Sequence, residues 1–151
     1  MQTDHTISRS APNPLHTILL AFPVALFSSA LVSDITYLRT EELQWTNFSA
    51  WLIAGGLVFG GLVLVWALIS LVLGFRSADR PRRLFYLLVL AVMCVVGLIN
   101  AFQHSRDGWS SVGVFGLALS IVTVVLALVA SLIAHSSLLN RVVFFNREAA
   151  R

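Results

Sequence analysis

Four long apolar runs constrain this chain more than anything else in it. They cover about residues 15–38, 48–74, 84–102 and 112–135. A helix needs about 20 apolar residues to cross the hydrocarbon core of a bilayer. The third run just meets that length, and the second has length to spare for tilt. No stretch alternates polar and apolar residues in the manner of a membrane β-strand, which excludes a β-barrel. A backbone in lipid must satisfy its own hydrogen bonds, and that leaves helices. The links "RTEELQWTN", "FRSADRPRR" and "QHSRDGWSS" are short. Short links force antiparallel neighbours. The expected fold class is therefore all-α, an integral membrane up-down bundle of four transmembrane helices.

Composition agrees. The chain is 58% hydrophobic and 11% charged. A soluble domain is about half apolar and about a quarter charged. There is too little polar surface here to cover a water-soluble core, and no basic face free of lipid to bind nucleic acid. Cys94 is the single cysteine and lies in an apolar run. It has no partner for an intramolecular disulfide and reads as a small buried hydrophobe. No Walker loop, zinc-protease helix or nucleophile elbow occurs. No metal site and no catalytic residue are expected, and the chain is not read as an enzyme.

Arginine placement orients the bundle. Arg9, Arg76, Arg80, Arg82, Arg83, Arg141, Arg147 and Arg151 fall on one side, and only Arg39 and Arg106 on the other. Positive residues collect on the cytoplasmic side, so both termini are expected there. Trp45 and Trp109 sit in the outer links, where an aromatic belt belongs. Residues 1–13 read as a polar cytoplasmic tail and 14–136 as the transmembrane domain. Residues 137–151 read as a second cytoplasmic tail, either an interfacial helix or the end of the fourth span. Asn13 followed by Pro14 makes a good helix start. "SSA" at Ser28–Ala30 is similar to a signal-cleavage site, but the apolar run continues past it, and retention of the segment is expected.

Few residues offer chemistry. Asp34 is the one carboxylate well inside a span, and such residues face the bundle interior or a wet cavity. His104 and Arg106 reach the same outer level and are its candidate partners in a proton or quinone-headgroup site. The plainer alternative is an acid that stabilises the end of the bundle. His16 and His135 lie at one depth on the inner side and are candidate axial ligands for haem b, or simply headgroup-wetted imidazoles. Pro23 removes a backbone donor in mid-span and frees the carbonyl of Leu19, which predicts a kink. Gly55, Gly56, Gly60 and Gly61 make a small-residue surface for close helix approach, inside the bundle or between protomers. Gly113 and Gly116 on the fourth helix are its candidate counterpart.

Several of these residues carry a resemblance. Asn13-Pro14-Leu15-His16, then Ala21-Phe22-Pro23, then Asp34, with "GLALS" at Gly116–Ser120 and the glycines Gly55 and Gly56, resemble the bacterial membrane-protein family called domain of unknown function 2231. The likeness covers about Pro14 to His135. Its histidine-rich opening is thinned here: Asn13 and Ala21 stand where relatives carry His, and Tyr86 stands at best where the third helix of relatives carries one. The resemblance implies a multi-pass protein of the bacterial inner membrane that accompanies a membrane redox or respiratory enzyme. The expected role is accessory or anchoring, through the lipid bilayer and a membrane-protein partner or a second copy docked on the Gly-rich faces. Two alternatives stay open: a small electron-transfer subunit holding haem b or quinone, and a small transporter or proton channel using Asp34 and Pro23.

Overall fold

The computed structural model describes residues 13–74, 80–106 and 112–149, with side chains as far as residue 136. The expectations for the first twelve residues, for Arg76 and Trp109, and for the side chains of the last tail lie outside the described residues. Four helices follow one another: α1 (Pro14–Thr40), α2 (Leu43–Leu73), α3 (Arg80–His104) and α4 (Val114–Ala149). All four contain segments long and apolar enough to cross a membrane. Each helix packs on its sequence neighbours, and α4 closes back on α1. The result is a square up-down bundle in which α1 and α3 occupy one diagonal and α2 and α4 the other.

The helices outrun the apolar runs that announce them. α1 spans about 40 Å and α2 about 46 Å at about 1.5 Å per residue, against a hydrocarbon core of about 30 Å. Apolar length reports the part that lipid covers, whereas a helix can continue through the interface, where water satisfies its ends. The Asn13 side chain caps α1 by accepting from the Leu15 amide at 3.1 Å, and Pro14 follows at the first helical position. At the far end Glu41 takes a left-handed conformation, φ 55°, and its amide donates to the Tyr37 carbonyl at 2.8 Å. That one residue lets the chain reverse in two, so α2 begins at Leu43, well before its apolar run. The backbone of 137–149 continues α4 as the same helix.

The centre of the bundle is a close fit of aromatic ring to glycine. A Cβ on Gly56 would stand 2.6 Å from Phe27 Cε1, and one on Gly97 would stand 3.5 Å from Phe27 Cζ. The Phe27 ring from α1 thus lies where α2 and α3 both lack side chains. Gly60 receives the Met93 methyl, 3.0 Å from its would-be Cβ, and Pro23 packs beside the same glycine. Pro23 is fully buried and α1 continues through it. Leu20, Ile53, Val63, Leu90, Met93 and Ala127 fill the rest of this layer.

The glycines of α2 are therefore divided. Gly56 and Gly60 are consumed inside the bundle and Gly55 meets Leu26 of α1, while Gly61 has open space. Inside the bundle the expected pairing with Gly113 and Gly116 does not form. α2 and α4 sit on opposite corners, and a square bundle keeps diagonal helices from touching along their length.

Arginines tie the other end together. Arg83 Nη1 donates to the Ser70 carbonyl at 2.9 Å, near the C-terminus of α2. Arg82 Nη2 donates to the Ile133 carbonyl and, at 2.7 Å, to Ser136 Oγ on α4. A guanidinium suits this work because it presents several donors in a rigid plane.

Gly56→Ala is expected to destabilise the bundle by about 1–3 kcal/mol, the range for overpacking a filled core. Gly61→Ala should stay within about 0.5 kcal/mol of the parent, as at an open surface. Denaturant unfolding in detergent micelles, followed by circular dichroism, reads both.

Candidate functional site

Near the α1–α2 turn the apolar interior gives way to a polar centre that draws on every helix. Asp34 lies six residues before the end of α1, and Ser49 lies six residues into α2. Ser120 lies six residues into α4, while α3 contributes Asn100 and its last residue, His104. Six residues are about 9 Å of helix, so three of these side chains meet at one depth. Asp34 and Ser49 are 0% exposed, Asn100 1% and Ser120 2%.

Asp34 Oδ1 meets His104 Nε2 at 2.9 Å. Both side chains are completely shielded from solvent. The Ser120 hydroxyl donates to the other carboxylate oxygen, Oδ2. Asn100 Nδ2 donates to Ser120 Oγ at 2.9 Å. The other imidazole nitrogen, His104 Nδ1, faces the Asn100 carbonyl oxygen at 2.9 Å. Ser49 Oγ donates to the Ala30 carbonyl at 3.3 Å and stands 3.5 Å from His104 Nε2. Asp34 and His104 thus bridge the α1–α3 diagonal that the backbones leave open.

Counting hydrogens assigns the protonation of this pair. A carbonyl oxygen only accepts, so His104 Nδ1 carries a hydrogen. If the imidazole were neutral, Nε2 would be a bare lone pair facing a carboxylate oxygen. One more proton must then lie between them, on Asp34 or on His104. Ser49 has spent its single hydrogen on Ala30 and turns a lone pair toward Nε2. Ser120 turns its hydrogen toward Oδ2. Both neighbours favour the proton on His104 and the charge on Asp34, a buried imidazolium–carboxylate pair. One acceptor is left over: Asn100 Oδ1 meets no donor among the described residues.

Of the two partners expected for Asp34, His104 closes on it, whereas Arg106 is exposed beyond the end of α3. His16 and His135 lie at the opposite end of the bundle. His16 Nε2 is 3.1 Å from the Tyr86 hydroxyl, with Trp66 beside its ring at 6.2 Å. His135 Nδ1 donates to the Ser131 carbonyl at 2.8 Å. His135 and Thr17 share a lipid-facing groove of about 330 Å³ between α1 and α4. Each imidazole thus has one nitrogen engaged within the bundle. No group of three or more His, Cys, Asp or Glu side chains is placed to hold a metal ion among the described residues.

Ser49, Asn100 and Ser120 are functional candidates that sequence reasoning did not single out. Asn100 carried a usable signal, as a lone amide one helical turn before His104 in an otherwise apolar run. Ser120 is legible only as part of "GLALS", and Ser49 gives no signal, because serines are common in spans.

Fold and site together define a class: a four-span membrane bundle with a buried acid–imidazole centre near one end. The family described as "Predicted membrane protein (DUF2231)" matches residues 12–133, and the chain belongs to it. No curated protein and no solved structure gives a significant match.

A double-mutant cycle of Asp34→Asn and His104→Gln is expected to give a coupling energy of about 1–3 kcal/mol, as for directly bonded neighbours. Additive effects in detergent unfolding would contradict the bond. Arg106→Gln should change stability by no more than about 0.5 kcal/mol.

Proposed function

We propose that this protein is an accessory subunit of a redox or respiratory enzyme in the bacterial inner membrane, and that its Asp34–His104 pair holds the proton that partner exchanges with membrane quinone. The observation that carries the reading is the pair itself. Ionisable residues inside membranes are costly and mark proton relays or substrate paths. This one spends a side chain from every helix to keep a single proton in place. With both termini inside, as the arginine bias suggests, the pair faces the outer side of the membrane. The absence of any recognisable catalytic motif in the sequence supports a helper over a stand-alone enzyme. The outward, lipid-facing leucines and valines of α2 and α3 offer surface for a membrane partner.

A proton-conducting channel is less well supported. Asp34 and His16 are about 27 Å apart along α1 at about 1.5 Å per residue. Between them lies the dry layer of Phe27, Ile53, Met93 and Gly56. The core of that layer offers a proton no polar side chain, and the serines at this depth, Ser28 and Ser131, lie outside it in the groove between α1 and α4. Vesicles reconstituted with the purified protein are accordingly expected to hold a pH gradient as long as protein-free vesicles do. A collapse that Asp34→Asn prevents would favour the channel.

The accessory reading is tested in native membranes. Gentle extraction followed by native mass spectrometry should find the chain bound to a larger redox enzyme. Asp34→Asn should leave that complex assembled and lower its quinol turnover at least tenfold. A chain that leaves the membrane alone, or turnover unchanged by the substitution, would overturn the reading.

A further inference from the structure

The leftover acceptor in the polar centre is hard to explain as packing. A buried amide oxygen without a donor costs about 1–3 kcal/mol, and Asn100 is 1% exposed. It stands at the end of a chain whose members all point one way. Asn100 donates to Ser120, and Ser120 donates to Asp34 Oδ2. Every link runs toward the carboxylate, as it must while Asp34 is an anion.

Such a chain can be reversed. From it we infer that Asp34 Oδ2, Ser120 and Asn100 form a binding position for a second proton, separate from the proton shared with His104. The inference rests on the reading of the centre as a proton site. A hydronium ion from the aqueous phase gives up its proton and leaves as water. An O–H bond forms on Asp34 Oδ2, and the carboxylate charge disappears. Asp34 then donates to Ser120 Oγ, and the serine hydroxyl turns away to donate in its place. The acceptor without a donor of its own is Asn100 Oδ1, brought round by half a turn of the amide, and it competes for that hydrogen with the Gly116 carbonyl one turn back on α4. The number of hydrogen bonds in the chain is unchanged. What remains unpaired is now the amide nitrogen instead of the amide oxygen. A leucine at 100 would leave the serine hydrogen only the carbonyls of its own helix, and an alanine at 120 would cut the chain.

The surroundings fit this use. On α1 the other buried ionisable side chain at this level is Tyr37, and α2 offers the hydroxyls of Thr46 and Ser49. On α3 the group facing the carboxylate is His104, and α4 brings Ser120 and Thr123. Thr123 is turned back on its own helix, donating to the Leu119 carbonyl at 2.7 Å. The charges of Arg39, Glu41, Glu42 and Arg106 are exposed beyond the centre. His104 keeps both ring hydrogens throughout, so the second proton makes the centre cationic.

Infrared difference spectroscopy of the purified full chain in lipid nanodiscs, acid minus neutral, tests this without any partner enzyme. Protein carrying ¹³C in its asparagine side-chain carbonyls is compared with the same labelled protein bearing single substitutions. The band that Asp34→Asn removes reports the protonated carboxyl, and the band that Asn100→Leu removes reports the amide. In the parent protein the carboxyl band should rise while the Asn100 band shifts down in frequency, with one common midpoint. Ser120→Ala should uncouple them, leaving the amide band in place as the carboxyl protonates, and Ser120→Thr should restore the coupling. An amide band that stays still in the parent protein overturns the inference, as does one that shifts equally in Ser120→Ala. So does a carboxyl that never protonates while circular dichroism still shows helix. Failure here leaves the accessory role standing, because that role is judged by quinol turnover in native membranes.

Discussion

Apolar helices in lipid gain nothing from hiding leucines against one another, because acyl chains are equally apolar. The arrangement of this bundle is therefore decided by the few places where shape or polarity discriminates between partners. The first is the Phe27 ring lying over Gly56 and Gly97, which joins α1, α2 and α3 at mid-depth. The second is the Asp34–His104 bond, which no rotation of either helix preserves. The arginine ties from α3 to α2 and α4 complete the set at the other end. Smaller fits, such as Met93 on Gly60 and the Tyr86 hydroxyl on His16, support these three.

The polar centre and the dry layer beneath it depend on each other. A buried ion pair is held cheaply only where its remaining lone pairs and hydrogens are all met. Ser49, Ser120 and the Asn100 backbone meet them, and the close packing around Phe27 closes the apolar core beneath the pair. Asn100 is the exception, with an acceptor unmet in the folded state. Unmet buried groups are rare enough to call for a cause. The proposed reversal of the hydrogen-bond chain supplies one, since the amide must present its nitrogen in one proton state and its oxygen in the other.

Much of this architecture can be read in the sequence, because membrane insertion writes itself in length. Four apolar runs and short links already imply four antiparallel spans. Asn13 and Pro14 announce the first helix start. Asp34 stands out because a carboxylate in a span is so expensive, and His104 was in reach at the same level. Other features resist reading. Glu41 adopts its left-handed turn without a glycine to advertise it, which hides where α2 begins. Gly113 and Gly116 look like a match for the glycines of α2, yet only the square arrangement shows that those helices lie on opposite corners. Ser49 and Ser120 are ordinary serines until four helices bring them to one carboxylate. The proposed accessory role is not written in any single residue; it rests on what the family resemblance implies.

The bond across the diagonal also sets an order of events at the ribosome. His104 follows Asp34 by 70 residues, and Ser120 by 86. At about 5–20 residues per second of synthesis, α1 emerges several seconds before any partner for its acid exists. During that interval Asp34 is a carboxyl group without its counter-charge at the edge of the hydrocarbon. The first helix cannot settle when it is made. Its acid stays without these partners until the third helix arrives with the imidazole, and the fourth with the hydroxyl that completes the site.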